Sequence, residues 1–553
     1  MDRLQILFIL FGMALFGIVG KLFYIQAFTS DTYSTNNYLQ TQRIEPTRGN
    51  IFDRNNEPIV TNQASYLLYA EPQNIDSPND VIEELDRILH IGEATLEAKL
   101  DTKKLWVPIT GDVDEKTKKK IEKQAIKGLG FNESSKRFYP EASIAAHLAG
   151  FVGKDEDGDN IGYFGIEGYY NKDLEVLPGI LKTERDVIGR PIVIGTQDRL
   201  KGENGRDLIL TIDKSSQAIA KRRLQEGLER YRAQSGCITI MEPYSGEILA
   251  MTCLPDFDPT EYYEFSEAFF RNPVISDVFE PGSIFKPFVV SAALEEGKIA
   301  PDDTYNESGP IQSGKYFIRT WDNKYNGEIS ISEILQKSSN VGMVYIGSKL
   351  GNDNILKYLN DFGFGAKTNV DLQGEVTSRI KDKSLWYPIE YSTIAFGQGI
   401  AVTQMQILTA FAALVNDGWM VRPHVVKEMI SENGNREAVS PKKEKRVLSE
   451  KTSRIIKKML YETVQHGEAK WKIPEGYKIG GKTGTAQIPV QGAYDPSKTN
   501  ASFVGFAPID KPKFIVLVTL HQPEASPWAS ETAAPLFFRL AKDLLVQYNI
   551  APE

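Results

Sequence analysis

Histidine and cysteine are scarce in this chain: five and two among 553 residues. The histidines (His90, His147, His424, His466 and His521) are scattered, and no Cys-x-x-Cys pair occurs. A zinc site needs several such ligands close together, so no metal and no cofactor is expected. Cys237 and Cys253 lie in two apparent strands joined by "PYSG". Hairpin counting sets Cys237 opposite Thr252, so the two cysteines face opposite ways and read as buried thiols, not a disulfide. A dense basic stripe is also missing. The formal net charge is −9, and the clusters at 118–120 ("KKK") and 442–446 ("KKEKR") read as solvated faces or loops. Nucleic acid is therefore not an expected partner. There is no internal repeat and no low-complexity segment. Apolar residues at 41% and charged residues at 25% describe a globular chain.

Long apolar runs are absent too, with one exception at the start. "LQILFILFGMALFGIVG", residues 4–20, carries no charge, and the run resumes after Lys21 with "LFYI". About 20 such residues span a hydrocarbon core. A cleavable signal would have a shorter apolar region followed by a small-x-small site, and none follows. Residues 1–27 are thus expected to be a cytoplasmic stub and a transmembrane anchor. Arg3 and the free amino terminus set the N-terminus inside.

The chain is too long for one core. Residues 28–205 open with "QRIEPTRGNIFDRNNEPIVTN", two strands about a turn at Asn55–Asn56, and continue into a charged helical middle. No acid, base and nucleophile cluster there, so this region reads as a packing or interaction domain. From residue 206 the pattern changes. The strand Leu208 to Ile212 precedes an amphipathic helix, and the two Cys-bearing strands follow. A mostly helical stretch then runs from about 283 to 417, and strands return in "KIGGKTGTAQI", "ASFVGFAPI" and "KFIVLVTLHQP". A helix near 532–547 closes the chain. This order describes an α+β or α/β domain, 206–553, whose sheet is assembled from both ends of the segment.

Ser-x-x-Lys occurs three times, at Ser283, Ser378 and Ser440. Only Ser283 follows Pro-Gly and precedes a proline, Pro287, that is tolerable only in a first helical turn. There Ser283 and Lys286 share one face, and backbone N–H groups surround the hydroxyl. A lysine serves as a base only if its pKa falls far below about 10.4, which burial and a second cation would cause. Lys482 in "GGKTGTAQ" is a candidate for that cation. Strand alternation sets Lys482 and Gly484 on one face and Thr483 and Thr485 on the other, and the glycines admit a ligand backbone. Ser338-x-Asn340 in "QKSSNVG" completes the set, although Ser338 also suits a helix cap and Ser-x-Asn recurs at 34, 77 and 431. The order Ser-x-x-Lys, Ser-x-Asn, Lys-Thr-Gly marks β-lactamases and penicillin-binding proteins, with Ser-Ser-Asn here for Ser-Asp-Asn.

Together with "RGNIFDRNNEPI" (48–59), "GEILAM" (246–251), "FDP" (257–259), "RNPVISDVFEPGSIFKPF" and "FGQGIAVTQMQ" (396–406), these motifs resemble class B penicillin-binding proteins. "KSSN" and "GFG" followed by "GE" resemble the FtsI-like, division-specific branch. The elongation-specific branch and a mainly non-enzymatic activator of a glycan polymerase are the alternatives. The resemblance implies a β-lactamase-like transpeptidase domain, with a central antiparallel sheet flanked by helices. An elongated N-terminal α+β pedestal and one transmembrane helix precede it. It implies a D,D-transpeptidase of peptidoglycan stem peptides on lipid-linked nascent glycan, outside a bacterial plasma membrane. It further implies inhibition by β-lactams and partnership with an FtsW/RodA-type glycosyltransferase and other divisome proteins. Carried onto this chain, Ser283 is the nucleophile and Lys286 its base. Ser338 relays the proton, Lys482 is the neighbouring cation and Asn340 holds the substrate amide. Lys482, Thr483 and Thr485 hold the terminal carboxylate, Gly484 counts with Thr483 and Thr485 as substrate-binding, and the N–H groups of Ser283 and Thr485 form the oxyanion hole. The deacylating glutamate of class A β-lactamases is not identifiable by motif.

Overall fold

The computed structural model describes residues 3–28, 39–44, 46–100, 104–156, 159–175, 179–184, 197–200, 202–469, 473–490 and 493–552. The Ser-x-Asn match at 34 lies outside them, as does part of the segment between 175 and 202. The chain divides into two compact units.

One unit comprises Met1–Arg48 with Glu175–Gly205. Its helix Arg3–Phe28 contains Gln5–Ala27, 23 residues long and apolar enough to cross a membrane. At 1.5 Å per residue that is about 35 Å, more than the hydrocarbon thickness of about 30 Å. Strands Leu39–Ile44, Gly179–Glu184 and Gln197–Leu200 pair antiparallel in that order.

The other unit comprises Gly49–Leu174 with Arg206–Glu553. A seven-stranded sheet joins its two sequence segments, because Asp207–Leu210 runs parallel to Ile51–Phe52 and antiparallel to Val426–Ile430. The "RGNIFDRNNEPI" motif makes that joint. Asp53 is buried and accepts from the N–H groups of Asn55 (2.7 Å), Glu57 (2.8 Å) and Lys214 (3.2 Å). Asn56 takes the left-handed conformation (φ 66°) that the turn requires. Arg137, nearly buried, pairs with buried Glu167 at 2.7 Å and donates to the Gly49 carbonyl.

The five-stranded sheet is antiparallel throughout, in the order Ile248–Leu254, Ser235–Met241, Phe514–His521, Ala493–Ala507, Gly480–Val490. It is assembled from both ends of the segment, as the pattern predicts. Helices Lys214–Tyr231 and Ala533–Gln547 cover one face through Leu224, Leu536, Phe537 and Leu540. Helices Lys286–Glu295, Gln404–Val415 and Glu450–His466 pack together in the core on the other. The stretch from 283 to 417 is less helical than its apolar pattern predicts. Thr304–Glu307 pairs with Gly327–Ser330, and Ile311–Ser313 with Tyr316–Ile318. The polar segment between them turns at Gly314 (φ 62°).

The cysteine reading is corrected. Near the turn, simple counting holds and Met241 faces Ile248. A bulge between Ile240 and Met241 then shifts the register by one residue, so Cys237 faces Cys253, not Thr252. The two form a disulfide.

Candidate active site

Ser283 lies in a 3-10 turn, Gly282–Phe285, that runs directly into the helix Lys286–Glu295. Pro287 occupies the helix start, where its missing N–H costs nothing. The turn is clamped from two sides. On one side, Val278–Phe279 pairs with Val402–Thr403, and Gly282 N–H donates to Gly397 O at 2.9 Å. Gly397 has φ 82°, and a Cβ there would overlap the Gly282 carbonyl. That contact accounts for a glycine within "FGQGIAVTQMQ". On the other side stands the strand Gly480–Val490. A Cβ on Gly484 would come within 2.9 Å of Ile284 and 3.0 Å of Pro281 O. Gly484 therefore admits the Ser283 turn rather than a ligand backbone, and it is not among the residues lining the cleft.

The strand alternates as expected. Lys482 is buried, and Thr483 and Thr485 border the cleft. Lys286 and Lys482, both fully buried, converge on Ser338. Lys286 Nζ donates to Ser338 O (2.5 Å), Ser338 Oγ (3.1 Å) and Asn340 Oδ1 (2.9 Å). Lys482 Nζ donates to Ser338 Oγ (3.1 Å), Thr483 O (3.1 Å) and Thr483 Oγ1 (3.2 Å). One hydroxyl thus bridges two amines. Burial, and then the Lys482 charge, push the Lys286 amine well below the ordinary lysine value. Burial brings Lys482 down to about 8. Lys482 is therefore the better proton holder, and Lys286 is the amine that can be neutral beside a cation. All three Lys286 hydrogen bonds go elsewhere than Ser283.

Ser338 is left-handed (φ 55°) and does not cap the next helix. That task falls to Ser339, whose Oγ accepts from Gly342 N–H at 2.8 Å and donates to buried Glu307. Glu307 also holds Asn326 through its N–H (3.0 Å) and side chain (2.5 Å). One buried carboxylate thus ties the Ser338 turn to the segment carrying Arg319 and Trp321. The other two Ser-x-x-Lys matches have no such setting. Ser378 bonds Ala401 O and Lys381 bonds Glu390, whereas Lys443 sits on an exposed strand.

The resulting cleft has a cavity volume of about 80 Å³. Ser283, Ser338, Asn340, Thr483 and Thr485 line it, with Gln398 of "FGQGIAVTQMQ" and three side chains outside every quoted motif: Trp321, Glu468 and Trp528. Trp321 and Trp528 meet edge-to-face at 5.1 Å, and Thr485 Oγ1 accepts from Ala529 N–H at 3.1 Å. These side chains come from loops far apart in sequence, and no local spacing announces them.

Residues 236–542 match the family described as the penicillin binding protein transpeptidase domain, and residues 43–210 the penicillin-binding protein dimerisation domain. Stage V sporulation protein D of Bacillus subtilis (strain 168) is 33% identical, over 100% of this chain and 86% of its own. Peptidoglycan D,D-transpeptidase FtsI of Escherichia coli (strain K12) is 28% identical, over 98% of this chain and 91% of its own. The crystal structure of penicillin binding protein 2X from Streptococcus thermophilus shares the fold with a TM-score of 0.76, covering 92% of this chain and 80% of that one at 24% identity.

Proposed function

The chain belongs to the penicillin-binding protein transpeptidases, serine-type peptidoglycan D,D-transpeptidases, and from that premise we propose how its own residues carry the reaction. The observation that supports the assignment best is the pair of buried lysines sharing Ser338 Oγ beside the Ser283 turn. Lys286, neutral next to cationic Lys482, takes the proton of Ser283, with Ser338 as relay. Ser283 Oγ then attacks the carbonyl carbon between the two terminal D-alanines of a stem peptide. The N–H groups of Ser283 and Thr485 receive the oxyanion; removing one such donor costs about 100- to 1,000-fold in rate. The close approach of Gly282 to the Thr485 backbone supports that pairing. Asn340 orients the substrate amide, and Lys482, Thr483 and Thr485 hold the terminal carboxylate. The C–N bond breaks, D-Ala leaves with the proton, and an acyl-enzyme remains. An amine of a second stem peptide then takes the acyl group. A β-lactam acylates the same hydroxyl.

The test uses the full chain in detergent. After incubation with fluorescent penicillin and digestion, mass spectrometry is expected to find the adduct on the Ser283 peptide. An adduct on the Ser378 or Ser440 peptide, or none, overturns the assignment.

The anchor helix and the Cys237–Cys253 disulfide, which suits an oxidising compartment, support a single-pass protein of a bacterial plasma membrane with its catalytic unit outside. The similarity to FtsI supports action at the septum beside an FtsW/RodA-type glycosyltransferase, with lipid-linked nascent glycan carrying the stem peptides. A fluorescently tagged chain is expected to gather at division sites; an even spread along the wall would assign it to elongation instead.

A further inference from the structure

Acylation leaves one carboxylate in the cleft without a task. Glu468 lines the same space as Ser283, Ser338, Asn340 and Thr483. A fixed turn presents it. Gly467 N–H donates to Thr463 O at 2.9 Å, a Cβ on Gly467 would collide with that oxygen, and Ala469 behind is buried. The same Cβ would come within 3.3 Å of Gln336 O, so the turn abuts the helix leading to Ser338. The Glu468 side chain is exposed, and among the described residues it forms no hydrogen bond and no ion pair. Its charge nevertheless reaches both Lys286 and Lys482, raising each in proton affinity.

A carboxylate here opposes the donor substrate, whose terminal carboxylate must settle by Lys482. It suits what comes next. Once D-Ala has left with its negative charge, the nucleophile that follows is an alkylamine, which is cationic in neutral water.

We infer that Glu468 binds the acceptor ammonium and so selects a cationic amine over water for the second half-reaction. The inference rests on Ser283 being the acylated residue. A carboxylate is far too weak a base to deprotonate an alkylammonium, so Glu468 holds the cation and does not take its proton. The ammonium gives one proton to water. Its nitrogen then forms a bond to the acyl carbonyl carbon, and the bond from that carbon to Ser283 Oγ breaks. The surplus proton on nitrogen passes through Lys286 to Ser283 Oγ. The products are the amide and free enzyme.

The test uses full-length protein in detergent with a thioester mimic of the donor peptide. The ratio of aminolysis to hydrolysis is measured with a lysyl peptide amide, which is cationic, and with hydroxylamine, which is uncharged. Glu468→Gln is expected to lower the ratio for the lysyl amide about tenfold at low salt and to leave the hydroxylamine ratio unchanged. In the wild-type protein, raising salt should raise the KM for the lysyl amide alone. An unchanged lysyl ratio, an equal fall with both acceptors, or a salt-independent KM overturns the inference. A failure of the Ser283 assignment is seen separately, as donor turnover that survives Ser283→Ala.

Discussion

Protein carrying Ser283→Ala is expected to take up no penicillin covalently while remaining folded. The loss should be of the order seen when other serine enzymes lose their nucleophile, about 10⁶-fold in turnover, because no neighbouring hydroxyl has Ser283's place at the turn. Ser338 is the nearest alternative by chemistry, but its Oγ is engaged by two lysines. Stability should hardly move. Ser283 is half-buried, and the turn is kept by Gly282, Gly397 and Pro287 rather than by its hydroxyl. A change within about 0.5 kcal/mol is ordinary for such a site. The measurement is gel fluorescence after labelling, paired with a thermal melt. An adduct on the variant, or a collapsed melt, would contradict the assignment.

Lys286→Met is expected to slow acylation about 10³- to 10⁴-fold, or about 4–5.5 kcal/mol of barrier, the upper range for loss of a general base. Met fills the buried volume without a basic atom. The pH profile carries the sharper test. Lys286 must be neutral to act, so wild-type acylation should rise with pH through its lowered pKa. Lys482 must stay charged to hold a carboxylate, so the rate should fall again above about 8. A bell-shaped profile follows, with the acid limb assigned to Lys286 and the alkaline limb to Lys482. In Lys286→Met the acid limb should vanish. In Lys482→Met the cation that depresses Lys286 is gone, so the acid limb should move to higher pH. A profile that keeps its acid limb in Lys286→Met would remove the lysine from the role of base. Stopped-flow acylation at several pH values reads all three.

Several features were legible from residue order. Pro281–Gly282 and Pro287 marked a helix start because proline and glycine restrict the backbone locally. The apolar run at 4–20 marked a spanning helix because length and composition suffice for that inference. The alternation of Lys482 with Thr483 and Thr485 followed from the pleat, and a sheet assembled from both ends of the segment followed from where the strands lie; that it is antiparallel came from the family resemblance. Where the sequence misled, a nonlocal detail intervened. One bulge in the 235–254 hairpin moved Cys237 opposite Cys253. Ser338 looked like a cap, but Ser339 caps, since the helix begins one residue later than the motif suggests.

Residue order thus determined which family this protein belongs to and singled out one hydroxyl and two lysines as its candidates, because local backbone preference and residue spacing are properties of the chain itself. The lowered basicity of Lys286 was decided only by the tertiary structure, since it depends on the water and charge that folding removes or brings near. The same holds for the Trp321–Trp528 contact, the Glu307 tie and the arrival of Glu468 in the cleft. Each joins groups separated by long loops, and no spacing along a chain encodes a distance across one.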